Sequence, residues 1–195
     1  GDVDLSGYEL IEFPFKFVII NGNFDCSYNK LTNLKYCPLK VGGDFNCSYN
    51  NLISLEYCPK IINGNFYCSN NNLISLKYCP KQIGGDFECS YNKLTSLEYC
   101  PEEIKGNFYC HENDLISLKY CPKKIGGVFN CNLNKLKKEL LYLFNSDIKG
   151  NIISDFGSKD DFLFEVKKQK LLKEKEDLNK LIPIIENNEL TKKRL

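Results

Sequence analysis

Gly22, Gly43, Gly64, Gly85, Gly106 and Gly127 stand 21 residues apart, and each is followed two positions later by Phe and four positions later by Cys. One unit reads Ile-x-Gly-(Asn/Asp)-Phe-x-Cys-Ser-x-Asn-x-Leu-x-Ser-Leu-x-Tyr-Cys-Pro, and about two thirds of the chain aligns to itself on this pattern without a gap. A repeat of this period buries its apolar columns between neighbouring units rather than around one centre. The 195 residues therefore count rungs of a stack, and function is to be sought on extended surfaces.

The repeat also sets the boundaries. Residues 1–157 read as the solenoid, with a degenerate first unit over 1–21, regular units over 22–126 and an altered last unit over 127–157. In the first unit Val3, Leu5, Leu10, Phe13 and Ile20 take the places of Phe24, Cys26, Leu31, Leu34 and Val41, as suits a terminal rung that caps the stack. After Leu136 the spacing of Lys-Lys-Glu-Leu-Leu-Tyr-Leu-Phe suits a short helix. Ile148, Gly150 and Ile152 then echo Ile125, Gly127 and Phe129 at an offset of 23, which predicts one more strand after a two-residue insertion.

Residues 158–195 are charged and free of the repeat. Ser158 and Asp161 have capping-box spacing. Phe164, Leu171, Leu178 and Ile185 recur every seven residues, with Val166, Leu181 and Ile182 widening the stripe. A helix is expected from Ser158, ended or kinked near Ile182 by Pro183 and frayed over 186–195. Its stripe should fold over the sheet as a cap; dimerisation or partner docking is the alternative reading.

Charge excludes one class of partner. Residues 1–157 carry 16 basic and 17 acidic side chains and the remainder 10 and 8, so neither part has the excess that non-specific nucleic-acid binding needs. The start lacks a basic leader and the run Phe17–Ile20 is too short to cross a bilayer, so a soluble, cytoplasmic protein is expected. The eleven cysteines fall in two columns, Cys26 to Cys131 and Cys37 to Cys121, 10 or 11 residues apart in turn. Stacked strands hold such side chains parallel at about 4.8 Å, too far for an unstrained disulfide. Reduced, buried thiols are expected, with no metal and no cofactor.

At Phe24-x-Cys26-x-x-Asn29-x-Leu31-x-x-Leu34 the unit resembles the leucine-rich repeat, with Phe and Cys standing in for two leucines. Its continuation, Ser90-Tyr91-Asn92-Lys93-Leu94-Thr95-Ser96-Leu97-Glu98-Tyr99-Cys100-Pro101, resembles the short bacterial subtype of YopM-like and IpaH-like effectors. Similar repeats occur in phage and bacterial reading frames. The resemblance spans roughly 1–155 and departs in the added glycine and in Tyr-Cys before the proline. Nothing in 156–195 resembles a ubiquitin-ligase domain. It implies an α/β repeat solenoid: a leucine-rich-repeat superhelix with a concave parallel β-sheet, an extended or polyproline-like convex side and a C-terminal helix. The sheet should be roughly 35 Å long for seven or eight strands.

On that sheet the outward columns would hold Asp25, Asp44, Tyr67, Asp86, Glu88 and Tyr109, flanked by Tyr28, Tyr49, Tyr91, His111 and Glu112. Rigid tyrosines and steering carboxylates suit a protein partner with a basic patch. The expected function is non-enzymatic protein binding, in a phage or bacterial factor that inhibits a host defence protein, acting as a monomer or helix-mediated dimer. An adaptor for a separate enzyme and a carbohydrate-binding repeat protein are the alternatives. His111, the only histidine, has no serine, cysteine or metal constellation expected around it. Tyr36, Tyr57, Tyr78, Tyr99 and Tyr120 are expected to stack and seal the core edge. The alternation Lys35, Glu56, Lys77, Glu98, Lys119 is expected to pair opposite charges along the stack.

Overall fold

A computed structural model describes the backbone of residues 1–192 and the side chains of residues 1–183. The repeat folds as a parallel β-solenoid with a C-terminal helix. Each rung contributes one two-residue strand to a front ladder: Val3–Asp4, Phe24–Asp25, Phe45–Asn46, Phe66–Tyr67, Phe87–Glu88, Phe108–Tyr109, Phe129–Asn130 and Ile152–Ile153. All eight pair in parallel, with Phe facing Phe in register. Alternation along the strand turns the first residue inward and the second to solvent.

Both irregular rungs fall where the pattern puts them. Val3 pairs with Phe24, and Phe13 and Ile20 are buried in the places of Leu34 and Val41. At the other end Ile152 pairs with Phe129 and Ile148 with Ile125, and the Gly150 N–H donates to the Gly127 carbonyl at 3.0 Å. The two-residue insertion is absorbed by a 3-10 helix, Lys138–Leu143.

The back of the solenoid corrects one expectation. Its backbone is extended, but it forms hydrogen-bonded ladders instead of a polyproline path. Ile19–Ile20, Lys40–Val41, Ile61–Ile62 and Gln82–Ile83 make one; Glu103–Ile104, Lys124–Ile125 and Asp147–Ile148 make another. The inward Val41, Ile62, Ile83, Ile104 and Ile125 fix these strands on the core, which brings successive rungs close enough to bond. Gly42, Gly84 and Gly126 donate to Ile20, Ile62 and Ile104 at 2.8, 3.0 and 2.9 Å. Among the described residues the equivalent bond from Lys105 to Ile83 is not made, and the back ladder divides there.

The core is a translation of the same few side chains. Phe24, Phe45, Phe66, Phe87, Phe108 and Phe129 are fully buried, with successive ring centroids 5.4–5.8 Å apart. Phe144 extends the column at 6.0 Å and Phe162 of the terminal helix closes it edge-on at 5.1 Å. None of the eleven cysteines forms a disulfide. Burial pushes their thiols up, Cys121 to about 12.

The terminal helix spans Lys159–Lys192 and is capped as its sequence predicts. The Ser158 N–H and hydroxyl donate to Asp161 Oδ2 at 3.0 and 2.6 Å, and the Asp161 N–H donates back to Ser158 Oγ at 3.2 Å. Two expectations fail here. The helix does not end near Ile182 but continues through Pro183, whose missing N–H costs one intrahelical bond, to the carbonyl of exposed Asn179. The cap is made by Phe162 and Val166, while Phe164, Leu171 and Leu178 of the seven-residue stripe are exposed. The expected fraying covers 186–195; the backbone helix takes in 186–192, and 193–195 and the side chain of Ile185 lie outside the described residues.

Candidate partner-binding face

The outward columns of the front ladder divide into a structural column and a displayed one. Each Asn or Asp after the repeat glycine accepts the backbone N–H of its counterpart in the next rung. Asn23 Oδ1 bonds Asp44 N at 2.8 Å, Asp44 Oδ1 bonds Asn65 N at 2.7 Å and Asp86 Oδ1 bonds Asn107 N at 2.7 Å. The second carboxylate oxygens of Asp44 and Asp86 accept from Asn65 and Asn107 Nδ2 at 3.3 and 3.1 Å. Asp44 and Asp86, expected to meet a partner, are thus engaged in holding rungs together.

This second ladder went unseen in the sequence, although its signal was there in the strict Gly-Asx pair. A Cβ on Gly43 would lie 2.1 Å from Asn23 Oδ1, and one on Gly64 2.2 Å from Asp44 Oδ1. The glycine column leaves room for the neighbouring side chain to reach the backbone.

In the displayed column Tyr67, Glu88 and Tyr109 are neighbours in register, all half-buried. Burial, and after it the carboxylates Asp44, Asp86 and Glu88, raise the Tyr67 phenol above its usual range; burial, Asp86 and Glu88 do the same to Tyr109. Both rings are neutral, and they flank a carboxylate with no ion-pair partner among the described residues. Asp25 is more occupied: it accepts from Ser27 N at 2.8 Å and Asn46 Nδ2 at 3.1 Å.

The flanking column has an unusual backbone. Tyr28, Tyr49, Asn70, Tyr91 and Glu112 all have φ of 52–54°, in the left-handed region that bulky residues avoid. Their bend lets the next residue, Asn29 or a counterpart, turn its amide inward. Tyr28 and Tyr49 stack at 4.3 Å and stay exposed.

His111 is placed between Tyr91 and Tyr109, edge-on at 5.3 and 6.5 Å. Its Nδ1 lies 2.9 Å from Ser90 Oγ, a contact with a single serine that the sequence did not single out. The bond continues a column in which Ser69 Oγ donates to Ser48 Oγ at 3.1 Å, and Ser90 is completely buried, so its hydroxyl offers a substrate no approach. Burial lowers the imidazole's pKa against the opposing pull of Glu88 and Glu112.

The tyrosines at the edge of the rung are not a seal. Tyr36, Tyr57, Tyr78, Tyr99 and Tyr120 are 42–54 % exposed, and no aromatic contact joins two of them among the described residues. Each sits at φ 66–74° in a turn closed by a bond such as Cys58 N to the Leu55 carbonyl at 2.9 Å. That is the third position of a type II turn, where glycine is usual. The expected Lys–Glu pairing is also absent from this column: Lys35, Lys77 and Lys119 lie over their own neighbouring tyrosine rings at 5.0, 5.0 and 4.7 Å. The inter-rung ion pairs form elsewhere, as in Lys123–Glu102 at 2.8 Å and Lys135–Asp114 at 2.6 Å.

Where the back ladder divides, a cleft of about 760 Å³ opens between Lys81, Gln82, Glu102, Glu103 and Lys105. Its charges are of both signs and do not converge on one point. Among the described residues no group of three or more His, Cys, Asp or Glu could hold a metal ion, and no helix is long and apolar enough to cross a membrane. The fold and its faces define a parallel β-solenoid that displays tyrosine on two sides. The chain matches no known protein-family model and no curated protein.

Proposed function

We propose that this chain is a leucine-rich-repeat solenoid of the short bacterial or phage type that acts without catalysis. It binds a protein partner bearing a basic patch across the outer, concave face of the front ladder. The observation that carries this reading is the left-handed backbone beneath Tyr28, Tyr49 and Tyr91. A bulky residue there is less favourable than Gly or Asn by roughly 1–2 kcal/mol, and Asn70 occupies the same place in one rung. Strained, exposed tyrosines on a face that also carries Glu88 and Glu112 supply rigid contact area where carboxylates steer a cationic partner.

The inward asparagines favour the leucine-rich-repeat assignment. Asn71 Nδ2 donates to the Cys47, Cys68 and Ser69 carbonyls at 3.0–3.2 Å, and its Oδ1 accepts the Leu52 N–H at 3.0 Å. Abundant Asn, Lys and Ile fit an A+T-rich bacterial, phage or viral genome. In that setting the protein occupies a host protein in the host cytoplasm and blocks it.

The test is affinity capture from bacterial lysate with the intact chain and with Tyr49→Ala/Tyr67→Ala/Tyr91→Ala, whose fold is checked by circular dichroism. A partner held by the former and lost from the latter supports the reading. A partner that both retain moves the site to the tyrosine edge or the terminal helix.

A further inference from the structure

The first turns of the terminal helix pack on the last rung through one face. Phe162 and Val166 are buried there, and Glu165 bonds Lys138 at 3.2 Å and accepts from Gln169 Nε2 at 2.7 Å. With successive residues turned by about 100°, Phe164, Leu171, Leu178 and Ile182 line the opposite side. They are exposed by 68, 57, 61 and 49 %. The helix therefore stands between the solenoid and its own apolar stripe.

The stripe has the period of a coiled-coil seam. At 3.5 residues per turn Phe164, Leu171 and Leu178 fall on one line, with Lys167, Glu174 and Leu181 about 50° to one side and Lys168, Lys175 and Ile182 about 50° to the other. The ion pairs within the helix, Lys173–Asp177 at 3.0 Å, Lys173–Glu176 at 3.5 Å and Lys180–Glu176 at 2.6 Å, lie on the side away from this seam. Glu174 and Lys175 flank it between Leu171 and Leu178, and neither has an ion-pair partner among the described residues.

We propose that a second copy of this chain covers the stripe as a parallel helix, making the protein a dimer through 164–182. Glu174 and Lys175, free of ion pairs among the described residues, complement a second copy of the same helix, and the apolar ends of the two flanks set its direction. A two-fold axis along the helices sets each flank against the other flank of the second copy. Glu174 then meets Lys175 twice and Leu181 meets Ile182 twice; Lys167 meets Lys168 twice as well, at the one like-charged level. An antiparallel copy that keeps the stripe together would set each flank against itself. Lys167 then meets Glu174 and Lys168 meets Lys175, no better in charge, while Leu181 and Ile182 come level with Asp160 and Asp161 instead of with each other. In each copy the last rung packs on the side of the helix turned away from the seam.

The mass of the full chain in solution tests this, by sedimentation or light scattering. The expected result is twice the chain mass, reduced to the single chain by Leu171→Asp/Leu178→Asp with unchanged circular dichroism. Glu174→Lys and Lys175→Glu should each lose the dimer alone and recover it as a heterodimer when mixed, because the mixture restores opposite charge at both contacts. A chain that stays monomeric, or a dimer indifferent to these changes, overturns the proposal. A Lys175→Glu dimer stronger than the parent overturns the parallel arrangement.

Discussion

Two residues in each regular rung adopt a left-handed conformation that bulky side chains disfavour, and eight of these ten places hold tyrosine. At the type II turn the ring neither enters the core nor stacks on its neighbours, so replacing it removes little packing. Tyr99→Asn should leave stability unchanged or raise it by up to about 1 kcal/mol, since Asn tolerates positive φ. Urea unfolding decides the point: a loss well beyond that gain would mean that the ring seals the core edge after all.

At the scale of the element, the solenoid is held by ladders rather than by long strands. Every strand is two residues, too short to be read from alternation, and the front ladder was legible only because the repeat places equal residues in register. The inward asparagine ladder could be read as well, since a polar residue fixed among leucines must find backbone partners. Asn92 is fully engaged: it donates to the Cys68, Cys89 and Ser90 carbonyls at 3.1 Å and accepts the Leu73 N–H at 2.9 Å. Asn92→Leu should therefore cost about 3 kcal/mol or more by stranding these groups, measurable as a lower urea midpoint. The Asx ladder and the back ladders were not legible, because an outward Asn or Asp can be satisfied by water and a two-residue strand leaves no alternation to read. The direction of the terminal stripe escaped notice for a related reason: periodicity gives the stripe but not which face the last rung will claim.

Over the whole molecule the true period is 42 residues. Asn and Asp alternate in the Asx ladder, and Gly42, Gly84 and Gly126 alternate with Asn63 and Lys105. A Cβ on Gly84 would lie 1.7 Å from the Asn63 carbonyl oxygen and one on Gly126 2.0 Å from that of Lys105, so neighbouring rungs are not interchangeable. Removing 64–105 keeps the alternation, whereas removing 64–84 sets Asp86 against Asp44 and Lys105 against Asn63. The shorter chain is expected to be the more stable of the two variants by urea unfolding, against the usual gain of stability with rung number. A more stable 64–84 deletion would show that the alternation has no energetic consequence.

The division of aromatics between inside and outside gives the protein an optical property. It has twelve tyrosines and no tryptophan, and the tyrosines all keep contact with solvent while the buried column is phenylalanine. Phenylalanine emits weakly, so the native ultraviolet fluorescence comes from the surface alone. Unlabelled protein should thus report a partner settling on either tyrosine face, and a signal that changes with the core intact can be separated from unfolding by circular dichroism of the same sample.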